Sequence, residues 1–171
     1  NGYFDHNATT PLHPAAREAW REASACFWHR HERRYREAAE VKQRLEDARE
    51  RLGDLLGCAA GRIVFTSGAT ESNNALLRAL AVGLPRGATV LTSGMEHPSV
   101  RAPLREVFAG RIIEIHTLPD TRLDRGHFHE QLNAQPVALV SIMAANNECG
   151  TLLPWAELAA DCNGKGIPFH T

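Results

Sequence analysis

A phosphate cradle is the first chemistry this sequence suggests, and it lies at Thr66-Ser67-Gly68-Ala69-Thr70-Glu71-Ser72-Asn73-Asn74. The segment follows the apolar run Ile63-Val64-Phe65 and leads into Ala75-Leu76-Leu77-Arg78-Ala79-Leu80, so it reads as the turn between a buried strand and a helix. The first N–H groups of a helix have no intrahelical partner and sit at the positive end of its dipole. Gly68 carries no Cβ to keep an anion away, while Ser67 and Thr70 add hydroxyl donors. Neither the Gly-Lys-Ser/Thr ending of a nucleotide-triphosphate loop nor the three spaced glycines of a dinucleotide site is present. A single phosphate on a smaller cofactor fits better. The same residues also suit an ordinary capped helix, Ser or Thr followed by Glu71.

Further reactive or hydrogen-bonding residues follow other apolar runs: Glu96-His97-Pro98 after 89–92, Asn146-Asn147-Glu148 after 138–144, and His170-Thr171 at the end of 167–170. These runs alternate with helical stretches near 98–109, 128–133 and 154–163, which implies crossover units and a mostly parallel α/β sheet. Ligands of such sheets gather outside the carboxyl ends of the strands, so four strand ends, counting the one before Thr66, converge on one site. Upstream, an amphipathic helix is predicted from about 13 to 22, followed by the bulky, basic patch Ala25-Cys26-Phe27-Trp28-His29-Arg30-His31. A long helix is predicted over 33–56, with one buried stripe of Tyr35, Ala38, Val41, Leu45, Ala48, Leu52 and Leu55, a solvated charged face, and Gly57 as its stop.

At 171 residues and 43% hydrophobic, the chain is long enough for a real core, and no segment is apolar over the length of a membrane span. Its 19 Lys and Arg against 20 Asp and Glu give no reason to expect nucleic acid or an anionic membrane as partner. Cys26, Cys58, Cys149 and Cys162 form no CxxC pair, which points to a reducing, cytoplasmic setting. His29-x-His31 and His127-x-His129 have no partner carboxylate or cysteine at a familiar ligand spacing, apart from Cys26 upstream of the first, so no metal is expected.

FDHNATTPLHP at 4–14, FTSGATESNN at 65–74, MEHPSV at 95–100, VSIMAANNECGTLLP at 140–154 and PFHT at 168–171, in that order, resemble the motifs of the cysteine desulfurases. These are a branch of the class V aminotransferase group of pyridoxal 5'-phosphate (PLP) enzymes. The resemblance implies the PLP-dependent transferase fold of aspartate aminotransferase type, a mostly parallel sheet flanked by helices. Residues 15–171 would form the N-terminal portion of its large, PLP-binding domain, and residues 1–14 would join a small domain. It implies an enzyme that takes sulfur from L-cysteine, leaves alanine, and passes the sulfur as a persulfide to an acceptor or scaffold protein for iron–sulfur clusters or thionucleosides. A homodimer is implied as well.

Carried over residue by residue, Ala69 and Thr70 match the positions whose backbone N–H and hydroxyl hold the PLP phosphate. His97 matches the histidine that stacks on the pyridine ring and assists proton transfer, the one catalytic residue implied. Asn147 matches the asparagine at the phenolic oxygen of the cofactor, and Asn7 to Thr9 a segment at the mouth of the site. The family's cofactor-binding lysine, its aspartate partner for the pyridine nitrogen and its nucleophilic cysteine have no match here. Lys42 reads as a helix-face residue, Lys165 as a turn residue, and Cys149 as a small buried hydrophobe. The family's aspartate would stand immediately after Thr171, so the front half of a larger catalytic domain is expected. At 25–32 the family's Gly-Asn-Pro-Ser-Ser-x-His loop is replaced by bulkier residues, which weighs on substrate choice. A selenocysteine or cystine lyase therefore stays open, as does a binding module without chemistry.

Overall fold

The structure, a computed structural model, describes residues 2–3, 6 and 9–171. Of the expected segment 7–9, Asn7 and Ala8 lie outside the described residues. The chain falls into two compact units, residues 1–65 and 66–171.

The first unit is helical. Helix α1 (Pro14–Cys26) opens where Pro14 needs no N–H partner and the His13 ring accepts the Ala15 N–H at 3.3 Å. It runs past the predicted end at 22 because Ala23, Ser24 and Ala25 contain nothing to stop it, and so takes in the start of the bulky patch. Helix α2 (Arg36–Leu56) ends at Gly57, whose φ of 67° is the left-handed conformation that glycine adopts without strain. The predicted buried stripe is only partly realised: within the helix only Ala38 and Gly53 are buried, while Leu52, Leu55 and the capping Tyr35 are exposed. Within this unit the helix is covered chiefly by the chain that doubles back after Gly57 through a short 3-10 turn, Ala60–Arg62.

That return is tight. A Cβ on Gly53 would sit 2.7 Å from the Cys58 carbonyl oxygen and 3.2 Å from the Ala60 nitrogen, both backbone atoms. Gly53→Ala should therefore lower stability by about 1–3 kcal/mol despite alanine's better helix propensity, read as a reduced urea midpoint. A midpoint equal to or above wild type would show that the turn yields freely.

The predicted strand at 63–65 is not formed. Val64 and Phe65 are 78% and 43% exposed, and no described strand lies beside them to complete a ladder. An apolar run becomes a strand only with a partner for its backbone. Here the Ile63 carbonyl accepts the Arg49 guanidinium instead, and that guanidinium lies 4.9 Å from the centroid of the Phe65 ring.

The second unit follows the predicted alternation: α3 (Ala69–Gly83), β1 (Thr89–Ser93), α4 (Pro98–Val107), β2 (Ile112–Ile115), α5 (Arg125–Ala134), β3 (Val137–Ser141), α6 (Trp155–Gly164) and β4 (Phe169–His170). The four strands are all parallel, in the order β2-β1-β3-β4. Adjacent residues of the central strands face opposite sides. Val90 and Leu139 pack with Leu77, Leu104 and Phe108 of α3 and α4, while Leu91 and Val140 pack with Phe128, Leu158 and Cys162 of α5 and α6. Strands covered on both faces explain the uninterrupted apolar runs. Helix α5 starts three residues before the predicted 128 because the Asp124 carboxylate accepts the His127 N–H at 3.0 Å. Strand β3 stops at Ser141 rather than 144, since the Met143 N–H leaves the ladder for the Glu96 carboxylate. Among the described residues no helix is long and apolar enough to cross a membrane.

Candidate active site

Strands β1, β3 and β4 are neighbours and parallel, so their carboxyl ends open on the same edge of the sheet. Three of the four anticipated strand ends are thus brought together. The fourth contribution comes from the start of α3, preceded by an extended segment rather than a strand.

Ala69 is the first residue of α3, and Gly68, its N-cap, offers no side chain to the helix end. A Cβ built on Gly68 would meet nothing within 4 Å, so the space beside it is open. The Ser67 N–H and hydroxyl both donate to one oxygen of Glu71, at 2.7 and 2.6 Å. Those two bonds, the hydroxyl's first, hold the Glu71 carboxyl below its usual range. The expected partnership of Ser67 with Glu71 is therefore present. The Ser67 hydroxyl is committed to Glu71 and leaves the helix N–H groups uncapped, whereas the Thr70 hydroxyl has no protein partner among the described residues.

Thr70 lines a cleft of about 330 Å³ together with Asn74, His97 and Ser99. A second cleft, about 490 Å³, is lined by Glu96, His97, Arg101, Asn146, Asn147 and Cys149. His97 and Pro98 border both, so the cleft of Thr70 and the cleft of Asn147 adjoin at the start of α4. His97 is also the N-cap of α4: its Nδ1 accepts the Ser99 N–H at 3.1 Å and lies 2.8 Å from the Ser99 hydroxyl.

Asn147 is exposed, and its neighbour carries the structural load. The Asn146 Oδ1 accepts the N–H groups of Glu148 and Cys149, each at 2.9 Å, and its Nδ2 donates to the Met95 carbonyl at 3.3 Å. One buried amide thus folds the loop and ties it to the end of β1, leaving the Asn147 amide unused among the described residues.

Glu96 has the same office and was legible only as a polar residue after a strand. It is 4% exposed, and one of its oxygens accepts the Ser93 hydroxyl at 2.6 Å and the Met143 N–H at 2.8 Å. Burial pushes its carboxyl above the usual range, against the opposing effect of those two bonds.

Cys149 is not the buried hydrophobe expected. The Asn146 turn presents it to solvent, its sulfur 3.2 Å from the Thr151 hydroxyl, a contact that lowers its pKa below the ordinary thiol value. Cys162 is fully buried, and desolvation pushes its thiol up to about 11. Iodoacetamide should alkylate Cys149 at least tenfold faster than Cys162 in the folded protein, as read by peptide mass mapping. Equal rates would place Cys149 in a closed environment.

The second histidine pair makes its contacts within the fold. His127 stacks on His116 with centroids 3.7 Å apart, and His129 contacts Asp161 at 2.9 Å. Of the lysines, Lys165 is exposed at the end of α6 and lines neither cleft, and Lys42 belongs to α2 in the other unit.

The donor set suits a phosphorylated aromatic cofactor. An uncapped helix start and a free hydroxyl offer themselves to a phosphate, an imidazole offers a flat ring, and a free amide offers a hydrogen bond to a phenolic oxygen.

Comparison with known proteins identifies the family and the fold. The sequence model described as Aminotransferase class-V matches residues 2–171. An IscS-like cysteine desulfurase of Mycobacterium tuberculosis is 32% identical over 99% of this chain and 45% of its own length. A selenocysteine lyase of Bos taurus is 32% identical over 92% of the chain and 41% of its length. Among solved structures, a NifS-like protein superposes with a TM-score of 0.89 at 28% identity, covering 98% of this chain and 47% of its own. SspA in complex with cysteine superposes with a TM-score of 0.88 at 27% identity, over 100% and 50%. The chain thus spans about half the length of the relatives it matches, and its fold is the PLP-dependent transferase fold anticipated from its motifs.

Proposed function

We propose that this chain, which belongs to the class-V aminotransferase family, forms the phosphate- and ring-binding face of a pyridoxal-phosphate-dependent cysteine desulfurase. The observation that carries the reading is the convergence of Thr70, His97 and Asn147, from three separate elements, on two clefts that adjoin at His97. When bound, PLP supplies an electron sink for bonds broken at the carbons of an amino-acid substrate.

The chain's own residues divide the remaining work. The N–H groups of Ala69 and Thr70 and the Thr70 hydroxyl receive the phosphate at the positive end of α3. The His97 imidazole would face the pyridine ring and offer its free ring nitrogen to substrate for proton transfer, a task within reach of a ring on the cleft wall. The Asn147 amide donates to the phenolic oxygen, held in place by the Asn146 turn. Glu96 and Asn146 act through these residues by fixing the two loops against each other. The lysine that attaches the cofactor and the cysteine that takes up sulfur are assigned to no residue described above.

In this reading L-cysteine yields alanine, and its sulfur passes as a persulfide to an acceptor protein serving iron–sulfur clusters or thionucleosides. A homodimer in the cytoplasm is the working form, and the four free cysteines suit such a reducing compartment. The selenocysteine lyase of Bos taurus, equal in identity to the desulfurase of Mycobacterium tuberculosis but matching less of the chain, makes selenocysteine the weaker, competing substrate.

The test is product analysis of the purified holoenzyme given L-cysteine, L-selenocysteine or L-cystine with a thiol reductant. Equimolar alanine and sulfide from cysteine is the expected result. Turnover of selenocysteine alone would move the assignment to the lyase, and no alanine from any of the three would remove the reading.

A further inference from the structure

Five side chains from four elements are joined by consecutive hydrogen bonds that end on His97. Ser141 Oγ lies 2.9 Å from His170 Nδ1, His170 Nε2 lies 3.3 Å from Asn73 Oδ1, and Asn73 Nδ2 donates to Ser99 Oγ at 2.9 Å. Ser99 Oγ lies 2.8 Å from His97 Nδ1. The series runs from β3 and β4 through α3 to α4.

The direction of every link is set by one group that has no choice. A backbone N–H can only donate, and the Ser99 N–H points to His97 Nδ1 at 3.1 Å, so that nitrogen is an acceptor. The Ser99 hydroxyl must then donate to it as well, since two acceptors 2.8 Å apart would repel. Asn73 meets the Ser99 oxygen with its NH₂ group, which leaves its carbonyl oxygen to accept from His170 Nε2–H. With its proton on Nε2, His170 accepts the Ser141 hydroxyl at Nδ1. Each donor thus has one acceptor and all bonds run toward His97. Burial disfavours the charged ring of His170 and lowers its pKa, in keeping with one N–H rather than two.

We infer that Asn73, Ser99 and His170 are positioning residues that hold neutral His97 in a single tautomer, with its lone pair committed at Nδ1 and its proton on Nε2, the nitrogen left for the clefts. His97 Nε2 has no protein partner among the described residues, so it meets a ligand as a hydrogen-bond donor. The tautomer is a property of the protein without cofactor. Only its use in catalysis rests on the desulfurase reading.

The test is nitrogen-15 NMR of the purified protein with labelled histidine, at a pH where His97 is neutral. The expected spectrum has a pyridine-type Nδ1 and a pyrrole-type Nε2 for His97. An Nδ1–H tautomer, or rapid averaging of the two, overturns the inference without any variant being made.

Asn73→Asp, nearly isosteric, replaces the NH₂ donor by an acceptor that draws the Ser99 hydroxyl away from the ring. It should shift the His97 nitrogens toward averaged values while leaving the backbone amide spectrum outside the contact residues unchanged. Ser99→Ala keeps the backbone donor and should shift them less, and Ser99→Thr should restore the wild-type spectrum. Unchanged His97 nitrogens in a folded Asn73→Asp protein overturn the relay. In holoenzyme, Asn73→Asp is expected to lower kcat about tenfold with KM little altered. A protein with the expected tautomer that binds no PLP would retain the relay and lose the proposed function, so the two failures are separable.

Discussion

Replacing Glu96 with alanine is expected to lower stability by about 2–5 kcal/mol, a large fraction of what holds an ordinary domain folded. Its carboxylate is the shared acceptor for two donors from different elements, the Ser93 hydroxyl at the end of β1 and the Met143 N–H after β3. Ser93 is fully buried, and an orphaned buried donor costs about 1–3 kcal/mol. The loss should also loosen both loops of the larger cleft, since Asn146 ties its turn to Met95, next to Glu96. Glu96→Gln keeps the accepting oxygen and the volume, so its penalty should be well under half that of alanine.

Glu96 also sets a pH dependence whose sign follows from its burial. Its folded-state pKa is raised, because desolvation disfavours the carboxylate. Between the unfolded value near 4.3 and that raised value, the folded state binds more protons than the unfolded one. Its contribution is therefore fully present below about pH 4.3 and is lost as pH rises through the folded value. Glu96→Gln should flatten the decline of urea midpoints over that window. A Glu96→Ala protein with the wild-type midpoint, or a Glu96→Gln protein with the wild-type slope, would show that the carboxylate is solvated.

His97→Ala is expected to lower desulfurase turnover by about 10²- to 10⁴-fold, the range for removal of a group that moves a proton in the transition state. The same ring caps α4, so alanine should also cost about 1 kcal/mol of stability. The two effects separate in His97→Asn, because asparagine is a good N-cap and cannot replace an imidazole in proton transfer. Wild-type stability with alanine-like turnover is the expected outcome for His97→Asn. Near-normal turnover in either variant would remove His97 from the chemistry.

The alternation of strands and helices in the second unit was legible because β1 and β3 are apolar on both faces, a pattern that a solvated sheet would not tolerate. The same logic misread Ile63-Val64-Phe65, where the residues are strand-like and no described strand stands beside them. In α2, periodicity identified the helix but overstated the burial of Leu52 and Leu55, since period reports a face and not what covers it.

At the site, Ala69, Thr70, His97 and Asn147 stood out through local motifs and the resemblance those motifs carry. Glu96, Asn146 and His170 were legible only as polar residues at strand ends, and the links through Asn73, Ser99 and Ser141 were not legible at all. Their roles depend on partners far apart in the chain, such as Met143 for Glu96 and His170 for Asn73, and no local spacing encodes those meetings. Cys149 was misjudged for a related reason, as its exposure is set by the Asn146 side chain rather than by its own neighbours.

The central proposal, that the start of α3 with His97 and Asn147 holds PLP, is tested most directly by phosphorus-31 NMR titration of PLP with the purified protein. A shifted, saturable phosphate signal is expected, weakened about tenfold or more in Thr70→Ala and Asn147→Ala and unaffected by Lys42→Ala or Lys165→Ala. Binding that ignores Thr70 and Asn147, or that vanishes with either lysine, would contradict it.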